Sequence, residues 1–263
     1  MNTISFPIFN LTTNINPVAF TIFNIDIYWY AVLITLSFII AIIALKKNDG
    51  KYGIKYSDIL DLSVLIIPIS LIGARLYYVI FNLDYYSDNL IQIFNIRNGG
   101  MAIYGGLIAG VVLIYFFCKK RNILIPDLLD YIVPYLALGQ AIGRWGNFIN
   151  GEAYGTQTNL PWKMGIYKNG NTQYVHPTFL YESISTFLIF ILLLKISKNR
   201  KFKGELVCIY ITLYSFVRII IEGIRIDSLM LYNFRISQII SVVLFVAFCI
   251  IWIYNVVKVK KTK

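Results

Sequence analysis

Apolar residues run along this chain in long blocks separated by short polar stretches. Three blocks, 25–45, 59–81 and 236–257, are each long enough for a helix to cross a hydrocarbon core of about 30 Å. Four more, 101–118, 124–143, 178–194 and 206–223, repeat the pattern with more glycine and an occasional charge. The pattern predicts an all-α fold: a polytopic membrane helix bundle of about seven transmembrane helices. The whole chain, 1–263, reads as a single integral-membrane domain with polar outer segments near 82–100 and 144–177. The first outer segment holds Asn82, Asp84, Tyr85, Tyr86 and Asp88, and its tyrosines suit an interfacial belt.

Composition agrees with the membrane class. Hydrophobic residues make up 58% of the chain and charged residues 14%, against about 25% charged in a soluble domain. The net charge of +11 would raise the question of nucleic acid in a soluble protein. Its distribution removes that question. Lys46, Lys47, Lys51 and Lys55 follow the first span, and Lys119, Lys120 and Arg121 the third. Lys195, Lys198, Arg200, Lys201 and Lys203 follow the fifth, and Lys258, Lys260, Lys261 and Lys263 form the tail. Sixteen of the 24 basic residues thus lie after alternate spans. By the positive-inside rule this sets the amino terminus outside and the carboxyl terminus in the cytoplasm. No nucleic-acid partner is expected. Cys118, Cys208 and Cys249 have neither disulfide nor zinc spacing and read as small packing residues. Residues 1–24 hold no basic leader region, so no cleaved signal is expected.

Charge inside a span is costly and usually functional. Arg75, Asp130, Glu182, Arg218 and Glu222 lie within spans, and Arg144 and Arg225 at outer ends of spans. Two readings compete. Arg218 and Glu222 are four apart and Glu222 and Arg225 three apart, so local ion pairs are available. Alternatively, Arg144 and Arg225, on different helices, clamp one lipid phosphate, for which a guanidinium fork is well shaped. Gly106 with Gly110 and Gly139 with Gly143 make small-xxx-small pairs, serving close helix contact, room for a bulky substrate, or both. A transporter would also use such features, but it should show inverted repeats or paired broken helices, and neither is visible. A scaffold would not need polar groups gathered toward one leaflet.

The run from Gly139 through Arg144, Trp145, Gly146, Asn147, Asn150, Gly151, Glu152 and Tyr154 to Gly155 closely resembles the signature of bacterial phosphatidylglycerol–prolipoprotein diacylglyceryl transferases. Other segments resemble that family in its order. They are Tyr28-Trp29-Tyr30, Gly73-Ala74-Arg75-Leu76, the glycine-rich stretch Asn98 to Gly106, Asp130 to Pro134, His176 to Glu182, and Arg218 to Arg225. The resemblance covers about residues 24–255. It implies transfer of the diacylglyceryl group of phosphatidylglycerol to the lipobox cysteine of prolipoproteins in the bacterial cytoplasmic membrane. Membrane lipids are the other expected partners, and no cofactor or metal is implied.

The resemblance also implies site residues. Arg144 and Arg225 would stabilise the leaving phosphate. Asn147, Asn150 and Tyr30 would bind the glycerol head group or phosphate, and Glu152 would orient an arginine. Arg75, Gly155, His176 and Glu222, within matching motifs, join them as substrate-binding positions. Tyr104 stands where many family members carry histidine and is the third catalytic candidate. A phenol, with a reference pKa near 10, is a poor base at neutral pH. Tyr104 therefore orients substrate, or another group takes the proton, or no histidine is needed there.

Overall fold

The computed structural model describes residues 2–86, 90–95, 99–168, 170–227, 230–232 and 234–261. Asp88, Asn98 and Lys263, read above as parts of the outer loop, the glycine-rich stretch and the tail, lie outside the described residues.

Helices dominate, as the apolar blocks predict. They are α1 (Trp29–Lys46), α2 (Tyr56–Ile80), the single turn α3 (Leu83–Tyr86), α4 (Ile103–Arg121), α5 (Ile125–Asn150), α6 (Thr178–Ile196), α7 (Glu205–Ile224) and α8 (Ile236–Lys261). Six of them, α1, α2, α4, α6, α7 and α8, are long and apolar enough to cross a membrane, so the protein is polytopic. In α8 only 6% of the most apolar stretch is buried. Apolar surface left uncovered on this scale needs lipid as its solvent. The fourth predicted span is the 26-residue α5, which carries Asp127, Asp130, Gln140, Arg144 and Asn147 and falls outside those six. Tyr131, Val133, Ala137 and Ala141 on this helix are buried in protein, while Leu136 and Trp145 are exposed.

The all-α expectation needs one addition, a set of short strands. These are β1 (Asn2–Phe6), β2 (Leu11–Ile15), β3 (Val18–Ile22), β4 (Ile25–Tyr28), β5 (Met164–Lys168), β6 (Asn171–Val175), β7 (Met230–Leu231) and β8 (Phe234–Arg235). Strands β2-β1-β5-β6 form one antiparallel sheet, while β3 pairs with β4 and β7 with β8. The first span therefore begins at Trp29 rather than 25, because Ile25–Tyr28 pair with β3.

Contacts divide the chain into two compact units. The larger comprises residues 1–44 and 129–263. One face of its four-stranded sheet buries Ile4, Met164, Ile166 and Val175 against Phe179 at the start of α6, with Phe148 of α5 packed alongside. A second core joins Val133 and Ala137 of α5, Ile189 and Leu193 of α6, and Leu206, Ile209 and Tyr210 of α7. Near the start of α5, the buried Asp130 accepts hydrogen bonds from Arg200 Nη1 (2.9 Å) and from the amides of Gly204 (2.8 Å) and Val207 (2.9 Å). It fills the positive amino end of α7, so its role is structural.

The smaller unit, 45–128, is built on α2 against α4. Their contact is made by glycine. A Cβ on Gly105 would lie 2.3 Å from the Gly73 carbonyl, and one on Gly106 3.2 Å from that of Ser70. Of the two uses open to these small residues, close helix contact is the one realised in this pair.

Candidate active site

The site begins where α5 outlasts its predicted span. The sequence places the outer segment from 144 onward, yet α5 stays helical to Asn150. Glycine lets this turn lie against α1: a Cβ on Gly143 would lie 3.0 Å from Ile34 Cδ1, and one on Gly146 2.3 Å from the Tyr30 ring. Tyr30 therefore lies over Gly146, among the signature residues. Trp145 Nε1 donates to Ser183 Oγ (3.1 Å), whose hydroxyl donates to the Ala141 carbonyl (2.8 Å). These bonds fix how α5 is rotated against α6.

That rotation turns Arg144 toward Glu182 in the second turn of α6. Arg144 Nε and Nη2 lie 2.8 and 3.0 Å from the two carboxylate oxygens, a bidentate pair. Glu182 is 2% exposed. Arg218 of α7 donates to the same carboxylate through Nη1 at 2.8 Å, and its Nη2 donates to Glu222 one turn on. Arg225 Nη1 lies 4.0 Å from Glu182 Oε2. One buried carboxylate thus gathers guanidinium groups from the end of α5 and the end of α7. The local pair Arg218–Glu222 is formed, and Arg144 and Arg225 both approach Glu182.

The polar signature residues surround Arg144. Its Nη1 donates to Asn147 Oδ1 (3.1 Å). Asn147 and Asn150 donate in turn to Glu152 Oε1, at 3.0 and 3.1 Å. Glu152 thus connects to Arg144 through Asn147. The Asn150 side-chain oxygen is buried with no hydrogen-bond partner among the described residues.

Gly155 threads the chain past two neighbours. A Cβ there would lie 2.7 Å from His176 Cβ and 3.1 Å from the Ile224 carbonyl. The Gly155 amide donates to the His176 carbonyl (3.0 Å), and Gly155 pairs as an isolated bridge with Arg225. His176 Nδ1 lies 3.4 Å from the Tyr181 hydroxyl. Just past α7, Arg225 donates through Nε and Nη2 to Asp227, at 2.9 and 2.7 Å. That hydrogen bond holds the Asp227 carboxyl below its ordinary value. The Glu222 carbonyl accepts from Arg235.

Arg75 and Tyr104 belong to the smaller unit. Arg75 Nε donates to Ile93, Nη1 to Gly99 and Gly100, and Nη2 to Gln92 and Asn95, every acceptor a backbone carbonyl. A guanidinium has five N–H donors, so these bonds commit all of them to the loop. Tyr104 stands in the first turn of α4 and is about half exposed.

Residues 17–254 match the family model for prolipoprotein diacylglyceryl transferase. The chain belongs to this family. Relatives named phosphatidylglycerol–prolipoprotein diacylglyceryl transferase occur in Finegoldia magna, 51% identical over 88% of this chain and 92% of the relative, and in Clostridioides difficile, 51% identical over 86% and 90%. Another, from Clostridium botulinum strain Langeland, is 42% identical over 94% and 99%. In this prolipoprotein diacylglyceryl transferase family member, three residues outside the sequence-derived site stand in the charge cluster: Glu182, Arg218 and Asp227. Glu182 and Arg218 carried a signal, as charges inside apolar spans. Asp227 carried none, since an exposed acid beside an arginine is common.

Proposed function

We propose that this chain transfers the diacylglyceryl group of phosphatidylglycerol to the lipobox cysteine thiol of a prolipoprotein, the first step of lipoprotein maturation. The sulfur attacks the glyceryl carbon that bears the phosphate. The carbon–oxygen bond breaks as the thioether forms, its electron pair leaves with glycerol-1-phosphate, and the thiol proton is released. The observation that carries this reading is the convergence of Arg144, Arg218 and Arg225 on Glu182. Glu182 and Glu222 are buried and balance two of the three guanidinium charges. The third, on Arg225, is paired with the half-exposed Asp227, an acid that a phosphate can displace into water.

Each group has a stated part. Arg144 and Arg225 hold the phosphate oxygens and stabilise their charge as the ester breaks. The unpartnered Asn150 oxygen suits a hydroxyl donor on the glycerol head group, with Asn147, Tyr30, Gly155 and His176 shaping its seat. Tyr104 orients substrate. Arg75 holds the loop that follows α3, all its donors being taken there. The protein lies in the bacterial cytoplasmic membrane with seven spans as one integral domain, the amino terminus outside, and this site toward the outer leaflet.

The test is transfer onto a lipobox peptide from phosphatidylglycerol, followed by glycerol phosphate release. Arg144→Ala and Arg225→Ala, each expressed at normal levels, are expected to lose on the order of 100-fold or more in rate, as when one donor is removed from an oxyanion site. Near-normal rates in both variants reject the arginine clamp.

A further inference from the structure

The carboxylate of Asp227 sits on Arg225 as a phosphate would. Two parallel N–H···O bonds, at 2.9 and 2.7 Å, join the fork to its two oxygens. A guanidinium takes two phosphate oxygens in the same way. The Nε/Nη2 edge cannot hold both anions at once, and the remaining nitrogen, Nη1, lies 4.0 Å from Glu182. The acids around the cluster differ in how freely they can leave. The Glu182 and Glu222 side chains are 2% and 3% exposed, and that of Asp227 is 45%. Withdrawing either glutamate would strand a buried charge, whereas Asp227 can swing into water. Arg225 itself is anchored: its amide donates to the Ile221 carbonyl at 3.1 Å, and its backbone pairs with Gly155.

We propose that Asp227 is a positioning residue that occupies the anion-binding fork of Arg225 in the free protein and gives way to the phosphate oxygens of the lipid. This rests on the arginine-clamp reading above. Before substrate arrives, the internal anion keeps the fork extended and aimed. Every incoming phosphate must then displace it, and binding is weakened by what the ion pair is worth. For a pair with a half-exposed partner that is about two- to fivefold.

The experiment uses the full-length protein in detergent with phosphatidylglycerol. Asp227→Asn keeps the side chain's shape and removes its charge. KM for phosphatidylglycerol is expected to fall about two- to fivefold, and inhibition by inorganic phosphate to tighten by a similar factor. Asp227→Glu is expected to restore both values toward those of the parent. Loss of a merely structural contact would instead raise KM and lower the melting temperature. Unchanged or weakened values in Asp227→Asn overturn the proposal. So does tighter inhibition by phosphate with KM unmoved, since the residue would then guard against the free ion and not yield to the lipid. Should Asp227→Asn not fold, Asp227→Ser carries the same readouts. Arg225→Ala separates the two roles: its inactivity beside an unaltered Asp227→Asn sinks only the role of Asp227, and its full activity removes Arg225 from the clamp and the role of Asp227 with it.

Discussion

At the scale of single residues, two buried carboxylates show how partners decide a role. Asp130 is enclosed by two backbone amides and one arginine, so its oxygens are committed to holding the start of α7. Glu182 is as deeply buried, yet its partners are guanidinium groups, and those of Arg144 and Arg218 keep further N–H donors beyond the bonds they make to it. Glu182 thus aims the cations without exhausting them. Glu182→Gln keeps the volume and removes the charge, leaving the mostly buried Arg144 and Arg218 with less compensation. Breaking a buried pair in this way costs about 3–5 kcal/mol. A lowered melting temperature is expected, together with loss of transfer on the order of 100-fold, because the arginines lose their aim as well as their counter-charge. A variant that melts and transfers like the parent would show that Glu182 is not the anchor.

At the scale of elements, glycine decides which helices touch. Gly73 and Gly105 face each other so closely that a Cβ on either would meet the other's carbonyl within 2.7 Å. Backbone cannot give way as a side-chain tip can. Gly105→Leu is therefore expected to destabilise α2 against α4 by at least the roughly 1–3 kcal/mol of an overpacked core. Gly139→Ala, where the new Cβ would stand 3.5 Å from Ser37 Oγ, is expected to be tolerated. Thermal melting in one detergent compares them, and equal melting points would refute the distinction. The helices were legible in the sequence because lipid-facing spans are written as apolar runs. The sheet was not: β1 pairs with β5 across more than 150 residues, and no local pattern records that partnership. Arg75 was legible as a costly charge and its role was not, since every partner is a backbone carbonyl, which any sequence supplies. Arg144 and Arg225 were legible through their types and positions, whereas the carboxylate that joins them required the rotation of α5 on α6.

At the scale of the whole molecule, the proposal that α5 crosses the membrane rests on charge. If α5 did not cross, the basic clusters after α1 and α4 would lie on one side, and those after α6 and α8 on the other. With α5 crossing, all four clusters, 16 of the 24 basic residues, fall on one side. The positive-inside rule favours the second arrangement strongly. Pairing supplies the means, since Asp130 bound to Arg200 and Arg144 bound to Glu182 are compensated within protein and need not face lipid. The arrangement predicts opposite accessibility at the two ends of the site-bearing helices. Asn159→Cys, beyond α5, should react with a membrane-impermeant maleimide on intact cells. Lys120→Cys and Lys198→Cys, after α4 and α6, should react only once the membrane is opened. A six-span molecule would place positions 120 and 159 on the same side and position 198 on the other. It would also leave Arg144, at the end of α5, on the side of Lys120, so labelling of Asn159→Cys and Lys120→Cys together from one side would remove the site from the outer leaflet, where an exported precursor presents its thiol.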